Sequence, residues 1–197
     1  MKLPLSCDAH YYSHFMSTAQ SETLFKWLRS NYDLEEPEVI DFPDGSQKPI
    51  LPWRMIFLDS QLAKSGSFSL HHGRQTKSFP LLEELRQQIT ERTGCNLAVA
   101  VCLYYPNGQE SLGFHSDLPA FGSTDVIASI SIGAQREFLI RSKTITHERY
   151  NITLENGSLL LMGKGFQDNY EHAIAKGDNT IGPRFNISFR RFGNSKV

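Results

Sequence analysis

From residue 97 to residue 191 one local pattern keeps returning: a short run rich in Val, Ile, Leu, Phe or Tyr, followed by a turn. The runs are 97–105, 126–132, 136–141, 158–162 and 184–191, with turns at Gly133-Ala134-Gln135, Asn156-Gly157 and Gly163-Lys164-Gly165. Each run is too short for a buried helix of ordinary length and is made of strand-favouring residues. Several short strands divided by turn signals confine such a chain to a sandwich or a barrel.

The front of the chain reads differently. Ser17-Thr18-Ala19-Gln20 fits a capping box ahead of Leu24, Phe25 and Leu28, which predicts a helix over roughly 18–30. Pro80 followed by Leu81, Leu82, Leu85 and Ile89, with Gly94 at the C-cap, predicts a second helix over 80–93. Between them, Pro37, Pro43, Asp44-Gly45, Pro49 and Pro52 are turn chemistry around one short strand at Val39-Ile40. The expected fold is mainly β with flanking helices (α+β), a double-stranded β-helix or jelly roll with helices on one outer face. At 197 residues the chain suits one domain. Residues 1–50 are expected to be an N-terminal extension packed on a core domain of residues 51–197.

A formal net charge of -1 carries no electrostatic footprint of a strong nucleic-acid binder. No apolar run approaches the roughly 18–20 residues of a membrane span, and the start lacks the apolar stretch of a signal peptide. We expect a cytoplasmic, monomeric protein with no membrane partner. Cys7, Cys95 and Cys102 include no CxxC pair and read as reduced thiols.

The chemistry gathers around Phe114-His115-Ser116-Asp117, in what reads as the turn after the 97–105 strand. On extended backbone an imidazole and a carboxylate two positions apart point to the same side and reach one metal ion. His172, in the polar segment Asn169-Tyr170-Glu171-His172, supplies a third ligand. Two histidines and a carboxylate on one face of an octahedron leave positions for a bidentate co-substrate and dioxygen, as in non-haem iron(II) oxygenases. Strand alternation puts Arg184, Asn186, Ser188 and Arg190 on one face and Phe185, Ile187 and Phe189 on the other. An inward row of arginines calls for an anion, and a dicarboxylate such as 2-oxoglutarate pairs well with guanidinium groups.

The segment from Tyr105 to Arg190 resembles the AlkB family of iron(II)/2-oxoglutarate dioxygenases. The likeness lies in Tyr105-Pro106-Asn107-Gly108, Gly113-Phe114-His115-Ser116-Asp117, the run from Ile127 to Ala134, Gly157 to Met162, and His172 with Arg184-x-Asn186-x-x-x-Arg190. Pro52-Trp53-Arg54 and the helix at 80–93 extend it upstream.

The resemblance implies that His115, Asp117 and His172 bind iron and that Arg184 pairs with the distal carboxylate of 2-oxoglutarate. It places Arg190 near the metal-chelating end, with Tyr105 and Asn186 adding hydrogen bonds to the co-substrate. The implied cofactors are Fe(II), 2-oxoglutarate and O2. The implied activity is oxidative dealkylation of alkylated nucleobases in DNA or RNA, in repair of alkylation damage.

Two positions depart from the family pattern. Leu103 replaces an asparagine expected two residues before the tyrosine, and Leu118-Pro119-Ala120 stands where repair members often carry an acidic residue that reads the base. A base-flipping enzyme also needs a stacking platform, for which Phe68, His71 and His72 are candidates. Arg74, Lys77, Arg136, Arg141, Lys143 and Arg149 read as a scattered, solvated face. The alternatives are a hydroxylase or demethylase acting on a protein or small molecule, and a catalytically silent binding module of the same fold.

Overall fold

The computed structural model describes residues 1–41, 44–50 and 52–193. Pro43, part of the expected turn chemistry, lies outside the described residues, as do residues 42, 51 and 194–197. In chain order the elements are β1 (Ala9–Tyr12), α1 (Thr18–Asn31), β2 (Glu38–Asp41), β3 (Gln47–Ile50), β4 (Trp53–Leu58) and α2 (Ser60–Ser65). A single 3-10 turn at Leu70–His72 precedes β5 (Gln75–Lys77), α3 (Pro80–Thr93), β6 (Val99–Tyr105) and β7 (Leu112–His115). There follow β8 (Ile127–Gly133), β9 (Arg136–Ser142), β10 (Arg149–Leu154), β11 (Ser158–Met162), α4 (Phe166–Asn169), β12 (Tyr170–Ile174) and β13 (Arg184–Arg190). No helix among the described residues is long and apolar enough to cross a membrane.

The two long helices start and stop where their end chemistry dictates. Ser17 Oγ accepts the backbone N–H of Gln20, and the Gln20 side chain accepts the N–H of Ser17 in return. Gly94 ends α3 in the left-handed region at φ 68°, where a side chain would be strained.

The strands form two main sheets, with β2 and β3 as a separate ribbon. The larger sheet runs β1-β11-β8-β13-β6-β4-β5 and the smaller β10-β9-β12-β7. Leu24 and Leu28 of α1 and Leu82, Leu85 and Ile89 of α3 share one core with Ala100, Cys102, Ile130, Ile132, Phe185, Ile187 and Phe189. Both helices therefore cover one face of the large sheet, and the molecule is mainly β with flanking helices. The other face packs on the small sheet, where Tyr105, Ile127, Leu160 and Met162 meet Phe138, Ile140, Leu154 and Ile174. A third cluster joins Leu62 of α2 and Phe68 to Ile56, Val99 and Val101.

Three local expectations are corrected. The 114–117 segment is not wholly a turn, because β7 runs through His115 and pairs with β12. The polar stretch ending at His172 is itself a strand, zipped on both edges by β9 and β7. Arg136 is not on a solvated face. It is 3% exposed and donates to the carbonyls of Asn107, Gly108, Glu110 and Ala175, holding two loops together.

Candidate metal centre and its cleft

At the middle of the large sheet the alternation of two adjacent strands carries polar groups to the inner face. β8 contributes Ser129 and Ser131, alternating with Ala128, Ile130 and Ile132, and β13 contributes Arg184, Asn186, Ser188 and Arg190. Register places Asn186 opposite Ser131 and Ser188 opposite Ser129. Arg184 donates to Ser131 Oγ at 2.8 Å, and Asn186 donates to Ser129 Oγ at 2.6 Å and to the Ile130 carbonyl. The paired serines escaped the sequence reading, although the alternation Ile127-Ala128-Ser129-Ile130-Ser131-Ile132 carries their signal. A polar stripe inside a sandwich needs partners. Its Ser129, Asn186 and Ser188 form the floor of a cleft of about 490 Å³, counted out to its mouth, which Tyr105, Leu103, Phe138, Met162 and Leu154 also line.

The small sheet supplies the opposite wall. His115 and His172 are directly opposed partners in the β7–β12 pair, and a register shift follows, so that Ile174 faces Leu112. The bulge takes up one extra residue on β7. Leu112 and His115, three residues apart, therefore both face the cleft. The two imidazoles lie with ring centroids 4.3 Å apart. Asp117 follows just past the strand end, where Ser116 Oγ ties the turn to the Tyr170 carbonyl. Ligand atoms of His115, Asp117 and His172 all lie within 4.8 Å of one another.

The protonation states suit metal binding. His115 Nδ1 is 2.8 Å from the Gly113 carbonyl, which can only accept, so Nδ1 is the donor there and Nε2 is the nitrogen left for a metal. Burial pushes the His172 imidazole down to about 4, against the pull of the Asp117 carboxylate, while His115 and Arg190 add to the lowering. His172 is thus neutral at physiological pH and able to donate its lone pair.

Arg184 is fully buried, and burial lowers its guanidinium to about 10, so it stays charged at neutral pH. Its Nε and Nη1 have no hydrogen-bond partner among the described residues. A buried cation with open donors calls for an anion. Tyr105 is 1% exposed, with the Arg184 guanidinium 5.2 Å from its ring centre. Burial raises its phenol, which therefore remains a donor. Arg190 Nη2 donates to the Leu118 carbonyl at 2.9 Å and lies 3.5 Å from Asp117 Oδ1.

The structure thus brings His115, Asp117, His172, Tyr105 and Asn186 to one cleft, with Arg184 against Tyr105 at one side and Arg190 against Asp117 at another. Both amide N–H groups of Asn186 are engaged by β8. Leu103, opposite Asn186 in register, adds apolar wall. Phe68 is 6% exposed, its ring packed against His72, Phe121 and Phe192, and His71 is exposed on the 3-10 turn. Phe121 links that cluster to the site, because the Arg190 guanidinium lies 5.5 Å from its ring centre.

A family model of the 2OG-Fe(II) oxygenase superfamily matches residues 8–190. The alpha-ketoglutarate-dependent dioxygenase alkB homolog 3 of Bos taurus is 36% identical over 120 residues, covering 56% of this chain and 42% of the relative. The DNA oxidative demethylase ALKBH2 of Mus musculus is 30% identical over 120 residues, covering 57% of this chain and 50% of the relative. The aligned part of the chain thus spans half or less of these curated relatives. The solved structure of OsALKBH1 superposes with a TM-score of 0.61 at 16% identity, covering 96% of this chain and 100% of that one, a likeness of fold alone.

Proposed function

Because the chain belongs to the 2OG-Fe(II) oxygenase superfamily, we propose that it is an iron(II)- and 2-oxoglutarate-dependent dioxygenase that removes alkyl groups from nucleobases of DNA or RNA, on a jelly-roll frame. One observation carries the reading. A His-Asp-His donor set faces a cleft whose wall includes Tyr105, and against Tyr105 lies a buried arginine, Arg184, whose Nε and Nη1 are unpaired among the described residues, so the residues fit both the metal and the dicarboxylate. Similarity to a DNA oxidative demethylase supports the choice of nucleobases.

Bound at this site, iron(II), 2-oxoglutarate and dioxygen supply hydroxylation of a C–H bond, with 2-oxoglutarate leaving as succinate and carbon dioxide. His115, Asp117 and His172 hold the metal, with His115 kept in the right tautomer by Gly113. Arg184, with Nε and Nη1 unpaired among the described residues, would pair with a carboxylate of 2-oxoglutarate, and the adjoining Tyr105 hydroxyl would donate to the same group. Asn186 acts through Ser129, keeping β8 and β13 in register beneath the co-substrate. Arg190, beside Asp117, serves the metal-chelating end. Leu103, Leu112, Phe138, Leu154, Met162 and Ile174 exclude water from the cleft. Phe121 and His72, edge to face at 5.1 Å near Arg190, offer the substrate an aromatic surface, with His71 exposed beside them.

The test is iron-dependent succinate formation with methylated single-stranded DNA and RNA oligonucleotides beside a peptide panel. Turnover with a methylated oligonucleotide, abolished by His115→Ala or Asp117→Ala, is the expected result. Protein that binds neither iron(II) nor 2-oxoglutarate would overturn the reading, and turnover with peptides alone would overturn the choice of nucleobases.

A further inference from the structure

Asp117 lies two residues beyond the end of β7, so no strand ladder fixes its carboxylate. Two side chains reach it instead, Arg190 at Oδ1 and Gln167, on the short helix α4, at Oδ2. The Asp117 backbone N–H donates to Gln167 Oε1 at 2.9 Å, and Gln167 Nε2 lies 3.4 Å from Asp117 Oδ2 as its donor. With Oε1 committed to an N–H, only the amide nitrogen can face the carboxylate, which accepts but does not donate. The same carboxylate oxygen is 3.7 Å from His172 Nε2, on the side where the donor set converges.

Gln167 is itself held firmly. Its side chain is buried at 7% exposure, its Nε2 also reaches Met162 Sδ at 3.7 Å, and its backbone carbonyl accepts from Lys143 Nζ at 2.7 Å. α4 starts directly after Gly165 at φ 85°, a left-handed turn that brings Gln167 round beneath the metal-facing loop.

We infer that Gln167 is a positioning residue that sets the orientation of Asp117 as a metal ligand, an inference that rests on the iron-site reading above. A glutamine there only to pack the loop would need its bond to the Asp117 N–H and nothing from its amide nitrogen. Partners that orient a metal ligand in this way typically change metal affinity about 10–100-fold when removed.

The experiment titrates cobalt(II) calorimetrically into metal-free protein, wild type and two variants, and records the d–d absorption of each cobalt form. Gln167→Met removes both contacts. Gln167→Glu keeps the size and the acceptor for the Asp117 N–H but sets an oxygen against Oδ2 where the amide donated. Both variants are expected to bind cobalt about 10–100-fold more weakly, with a changed absorption band. If Gln167→Met does not fold, Gln167→Glu decides alone. Wild-type protein that takes up no cobalt overturns the iron-site reading and this inference with it. Wild-type binding matched or exceeded by the variants, with unchanged spectra, overturns the inference alone.

Discussion

Arg184 is a residue kept for something other than stability. Burying a guanidinium with two unpaired donors costs several kcal/mol unless a partner arrives. Arg184→Met should therefore leave the melting temperature of the ligand-free protein level or higher, while weakening 2-oxoglutarate binding by roughly 100-fold, the worth of one or two charge-assisted bonds. Differential scanning calorimetry and isothermal titration read the two effects separately, and a large fall in melting temperature would contradict this account. His172 makes a second prediction, for the metal-free protein. Its folded value of about 4 lies below the ordinary 6.5, so the unfolded chain binds a proton there before the folded chain does. This contribution to stability is full above about pH 6.5, fades as pH falls toward about 4, and is level below that. A His172→Asn variant should show a flatter fall in melting temperature between pH 7 and pH 4.5; parallel curves would refute the assignment. At this scale the donor set and the β13 arginines were legible, because residue type and spacing encode them directly. Gln167 was not, because it meets Asp117 only through a fold that joins residues 50 apart.

The strand β13 does two jobs on two faces. Phe185, Ile187 and Phe189 are fully buried against the helix layer, while on the opposite face Asn186 and Ser188 line the cleft, with Arg184 against Tyr105 and Arg190 beside Asp117. Ile187→Ala should cost about 2–5 kcal/mol of stability, yet leave the 2-oxoglutarate dissociation constant within about twofold at temperatures where the protein is folded. A large loss of co-substrate affinity in the folded variant would show that the two faces are coupled. Most strands of the large sheet could be read from the sequence because both of their faces are buried and their apolar runs are dense. β7 and β12 could not. They are short, bear Glu171, His172 and His115, and owe their existence to pairing across the chain rather than to local preference. Arg141 helps that pairing from outside, donating to Glu171 and lying 4.1 Å from the ring centre of Phe114.

For the molecule as a whole, the first strand guards an edge. β1 pairs with β11, whose five residues Ser158–Met162 are all buried and largely apolar. Removing residues 1–13 would open a strand edge of the kind that templates aggregation. The truncated protein should be largely insoluble or associated by size-exclusion chromatography, and a soluble monomer of wild-type activity would refute this. The opposed histidines carry a further consequence for the whole fold. In a pleated strand a slip of one residue turns every side chain to the other side, so a chain that mispairs β7 with β12 sends one imidazole outward and loses the chelate. Correct alignment is therefore a condition for metal uptake, so chains trapped in the slipped register form a fraction of a preparation that does not load iron even with metal in excess.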